Sequence, residues 1–279
     1  MPKFAANLHY LFTEVEFMDR FAHAAAAGFA AVEFQVPYEH PGVQLRVRLR
    51  EHGLKMVLFD TPMGDWSAGD RGLAAIPGRE AEFRAGLPLA AEYAQALDCD
   101  LVHVMAGVLD AGADIANAER VYLENLRYAC AFLKRHGVRA VIEPINRRHG
   151  LAQGGASYTT EGMYGYFLNH TEQALRVIEK VGSDNLFLHL DVYHMQLTGG
   201  RLAQTLSDCL ALLKHVQIAG VPGRHEPSVG EINYPYLFDL LDELRYEGYV
   251  GCEYRPRAGT LAGLGWAARY GIGVASVVK

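Results

Sequence analysis

Apolar residues in this chain fall into short runs, separated by longer stretches where apolar and polar positions alternate with helical spacing. The runs Phe4–Leu8, Ala31–Gln35, Lys55–Phe59, Leu101–Met105, Val138–Ile142, Leu186–Leu190, His215–Ile218 and Tyr249–Cys252 read as strands buried on both faces, as in a parallel sheet. The intervening patterns predict helices over Glu14–Ala27, through Leu49 to His52, and over Arg79–Leu97, Ile115–His136, Thr171–Val181, Arg201–Leu213, Tyr236–Arg245 and Leu261–Tyr270. Gly28, Gly53, Gly137 and Gly182 supply stop signals, and His170 or Thr171 stands near an N-cap. Eight strands alternating with eight helices predict an α/β fold of the (β/α)8 TIM-barrel type, one domain over residues 1–279. The rival open doubly wound sheet usually carries a Gly-rich phosphate turn, which is missing here.

A closed parallel barrel gathers the carboxyl ends of its strands at one mouth. Glu143, Asp191, Gln217 and Glu253 stand at or just past the ends of the fifth, sixth, seventh and eighth runs. Taken singly, an acid after a strand is as often a surface charge or a helix-start neighbour. Four at equivalent positions on adjacent strands predict a shared site. Three carboxylates and one amide form an all-oxygen set, which suits a hard divalent cation such as Mg²⁺ or Mn²⁺. Glu33, toward the end of the second run, is a fifth polar group on the same rim, which either touches substrate or a neighbouring side chain or is structural.

Composition narrows the function classes. A hydrophobic fraction of 50% and a charged fraction of 21% describe an ordinary globular chain with a sizeable core. The net charge of −6 argues against general nucleic-acid affinity. No apolar run approaches the roughly 20 residues needed to cross a bilayer, so no membrane role is expected. The N-terminus lacks a secretory layout and reads as the first strand. Cys99, Cys130, Cys209 and Cys252 have no metal-type spacing and are expected to be reduced, which fits a cytoplasmic protein.

A cation flanked by two glutamates suits proton movement between neighbouring carbons of a hydroxy-carbonyl compound. It stabilises the enediolate while carboxylates handle the proton. Glu143 and Glu253 are placed to approach a substrate from opposite sides. His189 shares a strand face with Asp191, His103 lies in the fourth run as a packed core residue, and His194 is expected in the loop beyond Asp191, polarising a substrate oxygen. Arg224, in the Gly/Pro loop after the seventh run, can clasp a carboxylate by a two-pronged contact.

The segments Glu143-Pro-Ile-Asn146, Asp191-Val-Tyr-His-Met-Gln196, His215-Val-Gln-Ile-Ala219, Gly230-Glu-Ile-Asn-Tyr234 and Gly251-Cys-Glu-Tyr-Arg-Pro256 resemble the hydroxypyruvate isomerase family. So do Gly64-Asp-Trp66, Ala68-Gly-Asp-Arg-Gly72 and Ile76-Pro-Gly-Arg-Glu80, and the likeness runs to about Trp266. The resemblance implies a xylose-isomerase-like TIM barrel. It also implies interconversion of hydroxypyruvate and 2-hydroxy-3-oxopropanoate, or of 2-oxo- and 3-oxo-tetronate. By matching motif, Glu143 and Glu253 would be the acid/base pair. Glu143, Asp191, Gln217 and Glu253 would hold the metal, and the loop around Trp66 and Arg71 would close over substrate.

Two departures bear on the substrate. The segment Arg147–Tyr166 is long for the family, and Gly220-Val221 replaces an expected polar pair. Three rivals remain open at this point: a ketose 3-epimerase, a non-catalytic barrel that binds a small acid, and, least supported, an abasic-DNA endonuclease, which would want more histidines and a basic rim. Barrels of this kind often associate, which leaves a homo-oligomer open, and no heptad or exposed apolar stripe assigns one.

Overall fold

The computed structural model describes residues 1–147 and 162–273. Its strands are β1 Lys3–Asn7, β2 Ala31–Glu33, β3 Lys55–Met56, β4 Phe59–Asp60, β5 Leu101–His103, β6 Arg139–Ile142, β7 Leu186–Asp191, β8 Leu213–Ile218 and β9 Tyr249–Cys252. All pair in parallel, in the order β3-β2-β1-β9-β8-β7-β6-β5-β4. The two ends of that order, β3 and β4, are successive pieces of one stretch of chain. Val57 N donates to Val32 O on one side, and Thr61 N donates to His103 O on the other. The sheet therefore closes on itself as a barrel with eight strand positions, the third one interrupted.

The interruption has a consequence for facing. Val57 packs with Ala5 and Ala31, while Leu58 packs with Leu101 and Val141; both are patches separate from the main core. Two successive residues thus point into the barrel. Such an irregularity shifts the alternation by one, as a bulge does. Asp60 is thereby turned inward, where simple alternation from Val57 would have pointed Phe59.

The helices are α1 Arg20–Ala26, α2 Gly42–Glu51, α3 Glu80–Leu97, α4 Ile115–Arg135, α5 Thr171–Val181, α6 Val192–Thr198, α7 Leu202–Asp208, α8 Tyr234–Glu243 and α9 Thr260–Gly263. Their apolar stripes pack on the outside of the strands, and the main core lies in that layer. Three expectations need correction. The helix expected from Glu14 begins as a 3-10 turn at Phe17–Asp19. The helix expected over Arg201–Leu213 is shorter, because β8 already starts at Leu213. The last predicted helix is a four-residue α9 continued by a 3-10 stretch, Leu264–Tyr270. Of the segment Arg147–Tyr166, residues 148–161, with Gly154, Gly155 and Tyr158, lie outside the described residues.

Candidate active site

Inward positions on the strands build the site in layers. The register pairs Asn7 with Glu33, His189 with His215, and Asp191 with Gln217. Beneath these lie the small apolar patches of Ala5, Ala31 and Val57, and of Leu58, Leu101 and Val141. Above them opens a cavity of about 1010 Å³ lined, among others, by Glu33, Glu143, His194, Gln217, Arg224 and Glu253. The predicted residues Glu143, Gln217 and Glu253 thus share one wall system. Asp191 sits just behind it, 1% exposed.

Asp191 caps α6 and is held from both sides. Its Oδ1 accepts from Tyr193 N at 2.9 Å and its Oδ2 from Arg224 Nη2 at 3.0 Å. The same Arg224 nitrogen donates to Glu253 Oε2 at 2.5 Å. A buried guanidinium therefore ties two of the four predicted oxygen carriers together. Its own φ of 54° is an uncommon left-handed conformation for a non-glycine residue, which marks a position the surroundings over-determine. Burial opposes the charge on Arg224, but Tyr10, Glu253, Asp191 and Glu143 outweigh it, and the group is held firmly protonated. Burial is also the largest influence on Glu253 and pushes it up to about 8, against the pull of Arg224. Glu143 is raised well above the carboxylate range by burial, reinforced by Glu253 and Asp191.

Gln217 is oriented from behind. Its Nε2 donates to Glu33 Oε1 at 2.7 Å, so its Oε1 is the atom left over, buried and without a hydrogen-bond partner. Glu33 also accepts from Asn7 Nδ2 at 3.0 Å and lies 2.6 Å from His215 Nε2. It thus borders the cavity mainly as the anchor of Gln217. Gly251 makes this possible, since a β-carbon there would collide with the Glu33 carboxylate. Glu253 is positioned in the same way: Gln35 Nε2 donates to its Oε1 at 2.5 Å, and Gln35 in turn meets His9.

His194 is not in a loop, as expected, but on α6, because the helix starts directly at the end of β7. Its Nδ1 meets Asn146 Nδ2 at 2.6 Å, which turns Nε2 toward Asp191 Oδ2 and Glu143 Oε1, at 3.6 and 3.9 Å. Burial and then Arg224 hold its pKa well below the usual value, so the ring is neutral. Trp66 lines the cavity, half exposed, whereas Arg71 lies behind it with its guanidinium 3.4 Å from the Trp66 ring centre. Gly220, in the place of the expected polar pair, donates its N–H to His225 O at 2.7 Å. A β-carbon there would strike Val229 O, which accounts for glycine.

Three features went unread in the sequence. Asp60 was hidden by the slip in the third strand. Gln35 stands two residues after Glu33 and His215 two before Gln217, so the alternation that placed His189 beside Asp191 would have found both.

Glu143, Asp191 and His194 bring ligand atoms within 4.8 Å of one another, a grouping that could hold a cation, while Arg224 holds one oxygen each of Asp191 and Glu253. Glu143 and Gln217 each present a buried oxygen with no hydrogen-bond partner. The oxygens of Asp191 and Glu253 that accept from Arg224 keep further lone-pair capacity.

Residues 21–270 match the xylose isomerase-like TIM barrel family. The chain belongs to that family. It is 51% identical over 270 residues to the 2-oxo-tetronate isomerase of Cupriavidus necator, covering 97% of this chain and 99% of the relative. The hydroxypyruvate isomerase of Escherichia coli K12 is 41% identical over 270 residues, covering 97% and 100%. A solved Brucella melitensis structure described as an AP endonuclease of family 2 superposes with a TM-score of 0.90 at 45% identity, covering 97% and 99%. The similarity to the two curated isomerases extends over nearly their whole length, and the chain is an isomerase.

Proposed function

We propose that this isomerase interconverts a short hydroxy-oxo acid by moving a proton between adjacent carbons, with 2-oxo-tetronate ahead of hydroxypyruvate as substrate. The observation that carries the reading is the pair Glu143 and Glu253 on strand positions five and eight, facing one cavity. The greater identity to the 2-oxo-tetronate isomerase than to the E. coli enzyme supports the order of substrates.

Glu143, Asp191, Gln217 and Glu253 would hold Mg²⁺ or Mn²⁺. When bound, the ion supplies positive charge to the substrate's carbonyl and hydroxyl oxygens. The chain's own groups do the rest. One of the two glutamates takes the proton from the hydroxyl-bearing carbon, the proton of that hydroxyl passes to the neighbouring carbonyl oxygen, and a proton is returned to the neighbouring carbon, so no other reactant is consumed. His194, held by Asn146, offers its Nε2 side to a substrate oxygen. Arg224 fixes Asp191 and Glu253 and brings a permanent positive charge to the cavity wall. Trp66, stacked on Arg71, would cover the bound acid and exclude water.

The test is an assay of 2-oxo-tetronate, hydroxypyruvate and D-tagatose with chelator-treated enzyme before and after Mg²⁺ or Mn²⁺ is restored. Metal-restored isomerisation of an oxo acid is expected. Glu143→Gln and Glu253→Gln should each lower kcat by about 10²–10⁴-fold, the range typical of general acid–base groups. Epimerisation of the ketose alone would overturn the substrate class.

A further inference from the structure

The end of the barrel opposite the candidate active site carries an arrangement that the isomerase reading leaves unused. A cavity of about 420 Å³ opens there, bordered by Lys3, Lys55, Arg139, Lys214 and Arg245. Its volume falls in the range of about 300–1,000 Å³ usual for small-ligand pockets. Val57, Leu101 and Tyr249 add an apolar and aromatic lining.

Strand alternation gathers these cations. Ala5, Val57, Val141 and Gly251 point into the barrel. Lys3, Lys55, Arg139 and Tyr249 stand two residues earlier on the same stretches and face the same way. Lys214 joins them at an irregularity: Leu188 pairs with Leu213 and His189 with His215, which leaves Lys214 opposite no residue. A barrel interior is ordinarily filled by branched apolar side chains, so a cationic outermost layer is unusual. The ammonium heads also turn inward instead of outward to water. Lys3 and Lys55 Nζ lie 5.0 and 5.9 Å from the centre of the same Tyr249 ring, and Lys214 Nζ lies 4.9 Å from that of Phe187.

The acids at this end, Asp100 and Glu247, do not balance the cations. Asp100 Oδ2 accepts from Arg139 Nη2 at 2.6 Å. Lys3, Lys55, Lys214, Arg245 and Glu247 form no ion pair among the described residues. Positive charges collected this way in a chain of net charge −6 repel one another, and a bound anion removes that repulsion. Lysines act as point charges, which suits a compact phosphate. Of the two arginines that could fork onto a planar carboxylate, Arg139 is engaged by Asp100 and Arg245 is exposed in the loop after α8.

We propose that this cavity binds a small organic phosphate ester, its phosphate held by Lys3, Lys55 and Lys214 and its organic part lying against Tyr249. The site lies at the far end of the barrel from Glu143 and Glu253, so the proposal stands apart from the functional reading.

The test is calorimetric titration of the full, chelator-treated chain with ribose 5-phosphate, inorganic phosphate and ribose at about 0.15 M salt, where loose surface attraction is largely screened. One ribose 5-phosphate per chain should bind with a Kd below about 1 mM, inorganic phosphate more weakly and ribose not at all. Lys3→Gln and Lys55→Gln should each weaken binding by about tenfold or more, the usual scale for losing a charged hydrogen bond. Acetylation by acetic anhydride, followed by mass spectrometry, locates the ligand. Ribose 5-phosphate should slow acetylation of Lys3, Lys55 and Lys214 and leave Lys134 and Lys180, paired with Asp184 and Glu119 elsewhere, unchanged. No binding at this salt, unweakened binding by both variants, or no selective protection would overturn the proposal. Inorganic phosphate binding as tightly as the ester would overturn the assignment of an organic ligand. Should a variant fail to fold, the protection pattern of the unmodified chain still decides.

Discussion

At the scale of single residues, the candidate site is a set of polar groups each aimed by another. Glu33 fixes which end of the Gln217 amide meets the cavity, so its effect should appear in metal affinity before it appears in fold. Glu33→Gln is expected to weaken Mn²⁺ binding about 10–100-fold in calorimetric titration, the usual loss when such a partner is removed. Arg224 is the positive member of a buried cluster that includes Asp191 and Glu253. Arg224→Met leaves those acids without their cation and should destabilise the protein by about 3–5 kcal/mol in urea unfolding, the typical result of breaking a buried pair from one side. The raised Glu253 also makes a pH prediction. Burial moves its pKa from the ordinary 4.5 up to about 8 in the folded state. A carboxyl raised on folding contributes stability below its unfolded pKa and loses it as pH rises through the folded one. Metal-stripped protein should therefore lose stability between about pH 4.5 and pH 8, and Glu253→Gln should flatten that slope in parallel urea titrations.

At the scale of elements, strand ends carry the site and helices anchor it. Gly251 on β9 leaves the space that Glu33 of β2 fills, so two strands on either side of β1 are fitted to each other. Gly251→Ala should cost about 1–3 kcal/mol, as overpacking usually does, and thermal unfolding would show it. The element map was legible in the sequence because parallel strands buried on both faces read as apolar runs, and each run ended close to its true boundary. The departures have local causes. The third strand looked continuous because Lys55–Phe59 is apolar enough to hide a slip in facing, and that slip is what brings Asp60 to His103. His194 was placed in a loop because nothing in Val192–Met195 announces a helix; the cap is Asp191 itself, a residue already assigned another duty. Of the proposed site residues, Glu143, Asp191, Gln217 and Glu253 were picked out by their places at the ends of successive strands, whereas Arg224's grip on two acids depends on a loop conformation that no pattern encodes.

At the scale of the whole molecule, the barrel is chemically polar along its axis. The carboxyl-end mouth collects Glu33, Glu143, Asp191 and Glu253 around Arg224, while the opposite end has a smaller cavity of about 420 Å³ bordered by Lys3, Lys55, Arg139, Lys214 and Arg245 together with Asp100 and Glu247. Among the described residues no helix is long and apolar enough to cross a membrane. The ring of strands is also uneven in strength. Strands β7 and β8 share four register pairs, whereas β1 with β2, β2 with β3 and β4 with β5 share only two each, so the thin pairing runs up to the interruption from both sides. The interrupted strand leads straight into the loop that carries Trp66. A closed hoop loosens first at its weakest joint, and here that joint is spliced to the cover of the active site. Amides around residues 57–61 should exchange with solvent sooner than those of β7 and β8. If the Trp66 loop closes over bound acid, saturating substrate should slow that exchange, so that filling the cavity tightens the barrel's own seam.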